Sequence, residues 1–272
     1  MNYFFSFLAG VIQGLTEFLP VSSSGHLVIL HEVFGFNFAD DIAFDVILHL
    51  GTMAALVAFF YFDLLKYLKA WLQSIIKPDF KNNENQRLAW LVFFAALPAG
   101  IVGLLAEDQI EMFFRSPVIV GIMLILVGFI LFIVDYFAIL SKALGKMGLK
   151  DSAVVGFAQI FSLIPGVSRS GITIIAGLSR KLNRRDAAYF SFLVSAPLIF
   201  GAGLKKSIDL VQLDLSHADV FSLLIGFFVS AITGYLCIKY FLKYLEKNSL
   251  KIFAFYRIVL GILLLLYLFF LN

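Results

Sequence analysis

Apolar residues run along this chain in long stretches, separated by short polar bursts. Six stretches approach the roughly 20 residues that a helix needs to cross a bilayer. They are Ile42–Phe62, Leu88–Ala106, Pro117–Leu140, Ala187–Leu204, Ala218–Tyr240 and Leu250–Leu271. Two further apolar regions, 3–34 and 153–183, are broken at their centres by Pro, Ser and Gly, as "FLPVSSSGH" and "IPGVSRSG". Neither half of either region is long enough to span. A hairpin of two half-helices that enters and leaves on the same side accounts for both. Non-helical backbone is tolerated at membrane depth only where protein or a water-filled cavity surrounds it. Two such breaks in one chain point to one shared polar cavity.

The breaks are related to each other. A shift of 146 residues lays Gln13 on Gln159 and "VSSSG" (Val21–Gly25) on "VSRSG" (Val167–Gly171), and the first span over the fourth. Each half then reads as one hairpin followed by three spans. Three crossings are an odd number, so the second half is turned over relative to the first. The predicted fold class is an all-α integral membrane protein with six transmembrane helices and two re-entrant helix–break–helix hairpins. A single membrane domain covers 1–272, with one repeat at about 1–140 and an inverted one at about 153–271. Repeats of this kind bring functional sites together near the midplane.

Composition agrees with a membrane setting: 61% of the 272 residues are hydrophobic and only 14% are charged, against about 25% charged in soluble domains. Met1–Ala9 lacks a basic n-region, so a retained N-terminus is expected rather than a cleaved signal. One cysteine, Cys237, excludes an internal disulfide and a cysteine-built metal site. Charge placement sets the orientation. Leaving out Arg169, sixteen of the 21 Lys and Arg fall in 63–87, 141–186 and 239–251, while Arg115, Lys205 and Lys206 fall on the other side. Basic loops face the cytoplasm, so both termini are expected outside, with the first hairpin entering from the outer face and the second from the cytoplasm. No nucleic-acid partner is expected.

Ionisable groups inside the membrane mark function by default. They are Glu17, His26, Asp45, His49, Asp135, Arg169 and Arg257. Asp135 sits near the cytoplasmic end of its span and is expected at the interface. Asp45 and His49, four apart, share a helix face. Glu17 ends the first half-helix, and Ser22, Ser23 and Ser24 open the second, where backbone N–H groups favour an anion. The second hairpin repeats this with Ser168, Ser170 and Gly171 and adds Arg169, whose fork of donors matches phosphate oxygens. The ligand is expected to be a phosphate or diphosphate. Only the first hairpin carries Glu17 and His26, since Leu163 stands where Glu17 would repeat. That asymmetry suits a hydrolase, with reactive groups on one half and a charge clamp on the other. A transporter or flippase of polyprenyl phosphate is the alternative. Neither a G-x-S-x-G elbow nor a Walker A loop is present.

With "QGLTEFLPVSSSGHL" (Gln13–Leu27), "PGVSRSGITI" (Pro165–Ile174) and "FAFYRIVLG" (Phe253–Gly261), the chain resembles the undecaprenyl-diphosphate phosphatase family, the bacitracin-resistance phosphatases, over nearly its whole length. The resemblance implies hydrolysis of undecaprenyl diphosphate to undecaprenyl phosphate plus inorganic phosphate. This recycles the lipid carrier of cell-wall glycan synthesis in the bacterial cytoplasmic (inner) membrane, with the site opening to the periplasm or outer leaflet. It further implies Glu17, His26, Ser23 and Arg169 as catalytic residues, with the nucleophile left open between Ser23, His26 and water. Ser22, Ser24, Ser168, Ser170, Gly171, Thr173 and Arg257 are implied at the phosphates. A divalent cation, Mg²⁺ or Ca²⁺, is implied at Glu17 and Gln13, the latter an amide where the family often has a carboxylate, and Asp45 is a candidate for the missing charge. The expected partners are a polyprenyl diphosphate and membrane lipids, with a homodimer allowed by small residues such as Gly121, Gly128, Gly226 and Gly234. Type-2 acid phosphatases share "SGH" and "SR" elements, but their His six residues past the Arg is Ile175 here and their first motif is absent.

Overall fold

A computed structural model describes residues 3–35, 41–114, 116–210 and 217–271. Arg115, one of the expected outside charges, lies outside the described residues, as do the side chains of Lys205 and Lys206. Among the described residues ten α-helices follow one another: α1 (Tyr3–Phe18), α2 (Ser23–Glu32), α3 (Asp41–Ile76), α4 (Glu84–Phe114), α5 (Pro117–Phe137), α6 (Leu149–Ile160), α7 (Arg169–Ser179), α8 (Arg184–Leu210), α9 (His217–Tyr244) and α10 (Lys251–Leu271). No strand occurs among the described residues, where two chain segments touch only as an isolated bridge, Lys142 to Leu182.

Five of these helices, α3, α4, α5, α9 and α10, are long and apolar enough to cross a membrane. The segment expected as a fourth span, 187–204, is helical within α8; its side chains beyond Gly201 lie outside the described residues, so the five do not test it. The outward faces are greasy: Phe62, Leu104 and Phe269 are 83%, 78% and 78% exposed. Such exposure is stable only against lipid tails, where apolar surface has nothing to gain by hiding.

The breaks fall where the sequence places them. α1 ends at Phe18 because Pro20 supplies no N–H for a further turn. α6 ends in a 3₁₀ turn at Phe161–Leu163, just ahead of Pro165. Between the breaks and the spans, small residues let backbones close up. The α1 glycines Gly10 and Gly14 lie against Val229 and Thr233 of α9, and Gly121 and Gly128 of α5 face Leu265 and Ile258 of α10. Gly226 and Gly234 likewise meet Leu48 and Phe18 of the same chain. The four glycines thus make close contacts within one chain.

Phe18 at the end of α1 packs edge-on to Phe192 of α8 at 5.5 Å, and Phe60 of α3 meets Tyr189 at 5.3 Å. These rings belong to one large buried cluster that also takes in Val167 and Ile174 beside the second break. It holds α1, α7, α3 and α8 in register around the polar centre. Asp135 is buried: Arg184 Nε donates to it at 2.6 Å and the Leu250 amide at 3.1 Å, tying the ends of α5, α8 and α10.

Candidate active site

Both breaks end in the same cap. Ser22 precedes α2 with φ 74°, and Ser168 precedes α7 with φ 73°. Non-glycine residues rarely enter this left-handed region, and they persist there only when surroundings hold them. Each hydroxyl accepts from the amide three residues on: Gly25 N to Ser22 Oγ at 3.2 Å, and Gly171 N to Ser168 Oγ at 3.1 Å. Each also touches the next serine but one, Ser24 at 3.3 Å and Ser170 at 3.1 Å.

The tips are joined. Ser170 Oγ donates across to Leu19 O at 2.9 Å, and the Gly166 amide donates to Ser24 Oγ at 3.4 Å. Arg257, fully buried on α10, completes the junction. Its guanidinium donates to Pro20 O (3.2 Å) of the first break and to Gly166 O (2.8 Å) and Val167 O (2.9 Å) of the second. Gly166 bends the chain at φ 92°, and a Cβ there would press on Val120 O at 2.8 Å. At Gly171 a Cβ would sit 2.9 Å from Arg257 Nη1, so that position must be bare. Among the described residues no carboxylate partners Arg257, and its charge adds positive potential where the tips meet.

Glu17 is the hub. One carboxylate oxygen takes the Arg169 guanidinium of the opposite tip. The other accepts from Ser23 Oγ at 2.7 Å and Gln13 Nε2 at 3.0 Å, with His49 Nε2 3.7 Å away. Glu17 itself is buried, whereas Ser23, Arg169 and His49 are partly open. His26 stands apart from this hub. Its Nδ1 lies 2.7 Å from Ser22 O and its Nε2 2.7 Å from Tyr256 Oη.

The sequence-derived candidates therefore separate into groups. Glu17, Ser23, Arg169 and Gln13 converge on one carboxylate. Ser22, Ser168 and Ser170 are buried in capping and cross-tip bonds, and Gly171 supplies a cap amide beside Arg257. Thr173 is buried too, its hydroxyl on Arg169 O at 2.7 Å and Ser191 Oγ at 2.6 Å. Asp45 does not join the centre: its carboxylate takes His31 at 3.2 Å, while its backbone carbonyl takes His49 Nδ1 at 2.7 Å. Residue reading missed Tyr256 altogether, and it did not bring His49 to Glu17. Tyr256 carried one signal, its place beside Arg257 in "FAFYRIVLG".

Among the described residues no three His, Cys, Asp or Glu side chains gather as a metal cage. One atom nevertheless fits a hard cation. Gln13 Oε1 is buried without a hydrogen-bond partner, one turn from the Glu17 carboxylate, and amide and carboxylate oxygens are what such ions take.

Fold and centre together define a polytopic helical membrane protein with an ionised, hydroxyl-rich heart between two broken helices. The chain belongs to the bacitracin-resistance family: the family described as Bacitracin resistance protein BacA matches residues 6–263. It is 40% identical over 273 residues to the undecaprenyl-diphosphatase of Thermomicrobium roseum, covering 98% of each chain. It is 42% identical over 259 residues to that of Rubrobacter xylanophilus, covering 94% of each. With that of Aliivibrio salmonicida it shares 41% over 269 residues, covering 98% of this chain and 99% of the relative.

Proposed function

We infer that this protein hydrolyses undecaprenyl diphosphate to undecaprenyl phosphate and inorganic phosphate, as its relatives' names and their full-length coverage support. One observation carries this to particular residues: Arg169 of one tip and Ser23 of the other share the buried carboxylate of Glu17. A bound diphosphate competes with Glu17 for the Arg169 fork. As Arg169 turns to the phosphate, Glu17 is freed to take the Ser23 proton. Ser23 Oγ then bonds to the terminal phosphorus, and the bridging P–O bond breaks. Undecaprenyl phosphate leaves as an anion, and water splits the phosphoserine to release inorganic phosphate. Ser24, the cap amides of Gly25 and Gly171, and the buried charge of Arg257 favour the anion throughout.

A divalent cation belongs to the same reading. Gln13 Oε1 and Glu17 would hold Mg²⁺ or Ca²⁺, which would supply positive charge against the phosphates. The lipid tail lies among the exposed apolar side chains of the helices.

In this reading the broken elements α1–α2 and α6–α7 are re-entrant hairpins, α8 is a sixth span, and the two halves of one membrane domain are inverted repeats. Matched caps at Ser22 and Ser168 support the repeat, as does the packing of α1 on α9 beside that of α6 on α4. The excess of Lys and Arg in 63–87, 141–186 and 239–251 supports placing those loops in the cytoplasm, with the site opening to the outer leaflet of the bacterial inner membrane.

The test is phosphate release from a polyprenyl diphosphate by detergent-solubilised protein with added Mg²⁺, with acid-quenched turnovers examined for phosphoserine. Wild type is expected to turn over and to trap label on Ser23. Ser23→Ala at the wild-type rate rejects the nucleophile, and Arg169→Ala at that rate rejects the site.

A further inference from the structure

The reading above leaves His26 without a fixed role, and the structure supplies a neighbour that defines one. A backbone carbonyl can only accept, so the 2.7 Å contact of His26 Nδ1 with Ser22 O puts a proton on Nδ1. A neutral ring then has a bare lone pair on Nε2. Tyr256 Oη stands 2.7 Å from that nitrogen and donates to it. The two rings lie parallel within 3°, their centroids 5.7 Å apart. Tyr256 is 45% exposed, whereas His26 is buried behind it.

Tyr256 has little freedom to be elsewhere. The next residue is Arg257, whose guanidinium is fastened to carbonyls of both tips. Ser22, which orients the imidazole, is itself fixed by its cap bond to Gly25. His26 is thus clamped from two sides, by its own helix at Nδ1 and by α10 at Nε2. Ser23 gives its hydrogen bond to Glu17 instead. The Ser, His and Glu of the first motif therefore form two separate pairs, and the second pair needs a residue 230 positions away.

We propose that Tyr256 is the positioning residue of His26: Ser22 O sets the Nδ1–H tautomer, and the Tyr256 hydroxyl, donating to Nε2, fixes the ring's orientation and keeps Nε2 as a proton acceptor on the side of Tyr256. This rests on the phosphatase reading and deepens it. With that tautomer His26 is a base, not an acid. Its task is the second half of the reaction, where a water takes the Tyr256 position at Nε2. The water oxygen bonds to phosphorus, its proton passes to Nε2, and the bond from phosphorus to Ser23 Oγ breaks as Glu17 returns its proton to that oxygen. Tyr256 keeps the site dry and the base unspent until the phosphoserine is in place.

Tyr256→Phe removes the hydroxyl and keeps the ring. The expected result is a kcat about tenfold lower, the worth of one aligned hydrogen bond, with KM unchanged and phosphoserine accumulating in quenched turnovers. Selective ¹⁵N-histidine spectra are expected to show the His26 Nδ1–H tautomer in both wild type and Tyr256→Phe, with the Nε2 resonance shifted in the variant as it loses its hydrogen bond. In a His26→Gln background the Tyr256→Phe change is expected to add no further loss. A wild-type kcat and an unaltered His26 spectrum in Tyr256→Phe overturn the inference, as does an equal additional loss on top of His26→Gln. Tyr256→Leu, which loses ring and hydroxyl, reports packing: a lowered melting temperature there with a wild-type Tyr256→Phe assigns the residue to structure alone. If wild type itself releases no phosphate, the phosphatase reading has failed instead.

Discussion

Ser22 and Ser168 stand 146 residues apart and share one conformation, φ 74° and 73°, each hydroxyl holding the amide three residues on. Two segments that match in all but the middle residue, Val21–Gly25 and Val167–Gly171, arrive at the same strained cap, and the rest of the centre is organised from it. The strain and the cap bond act in opposite directions on substitution. Ser22→Gly relieves φ and loses the hydroxyl, while Ser22→Ala loses the hydroxyl and keeps φ positive. Alanine is therefore expected to cost about 1 kcal/mol or more, and glycine only a few tenths. The same order is expected at Ser168. Thermal unfolding in detergent checks it, and glycine proving the worse of the two would contradict the cap.

Glu17 is buried and Arg169 partly open, and the two neutralise each other, so single and double changes should differ in kind. Arg169→Met leaves the buried carboxylate alone and is expected to destabilise by about 3–5 kcal/mol, and Glu17→Gln by less. The double variant is expected to recover most of that stability while releasing no phosphate. Arg169→Lys keeps the charge without the fork and should fall between. Melting curves and phosphate release, measured on the same preparations, separate the two effects.

Arg257 serves carbonyls of both breaks. Arg257→Met would leave those acceptors bare, at about 1–3 kcal/mol for each that finds no other donor. Both the melting temperature and kcat are expected to drop. Protease protection of the two breaks should fall together, because one side chain joins them. Loosening of one break alone would show that the tips are independent.

Gln13 and Gln159 are partners under the 146-residue shift, yet their amides differ. Gln13 has Glu17 for its N–H, whereas both amide atoms of Gln159 are buried without a partner, since Leu163 stands where the carboxylate would be. Gln159→Met is expected to stabilise by about 1 kcal/mol and leave activity unchanged. Gln13→Met is expected to raise the Mg²⁺ concentration for half-maximal rate about tenfold or more. A magnesium titration of both variants makes the comparison.

Asp151, at the start of α6 and outside the five apolar helices, receives Lys142 at 2.9 Å and Arg180 at 2.9 Å. Burial pushes its carboxyl up, but the Gly148 amide, Lys142 and Arg180 outweigh that and hold it below the ordinary Asp value. A depressed folded value means stability that is present above the unfolded pKa, about 4, and lost as the pH falls through the folded one. Asp151→Asn is expected to lower the melting temperature at pH 7 and to flatten its decline below pH 4. An unchanged acid limb would rule the ion pairs out as its source.

Much of the arrangement was legible in one dimension, for reasons that can be named. Runs such as Pro117–Leu140 reveal themselves because a bilayer asks only for length and greasiness. The breaks at Pro20 and Pro165 are equally plain, since a missing N–H acts locally. Glu17 and Arg169 stood out because a charge in an apolar run has to be compensated.

What stayed hidden was every relationship that depends on which helix lies beside which. Chain order determined the helices, the breaks, the caps and the identity of the isolated charges, all governed by neighbours within a turn or two. Only the packed structure decided that Glu17 takes Ser23 and not His26, that His26 turns to Tyr256, that Asp45 goes to His31, and that Arg257 is enclosed by carbonyls. Hydrogen bonds act over about 3 Å, and sequence separation carries no information about which groups 150 or 230 residues apart come within that reach.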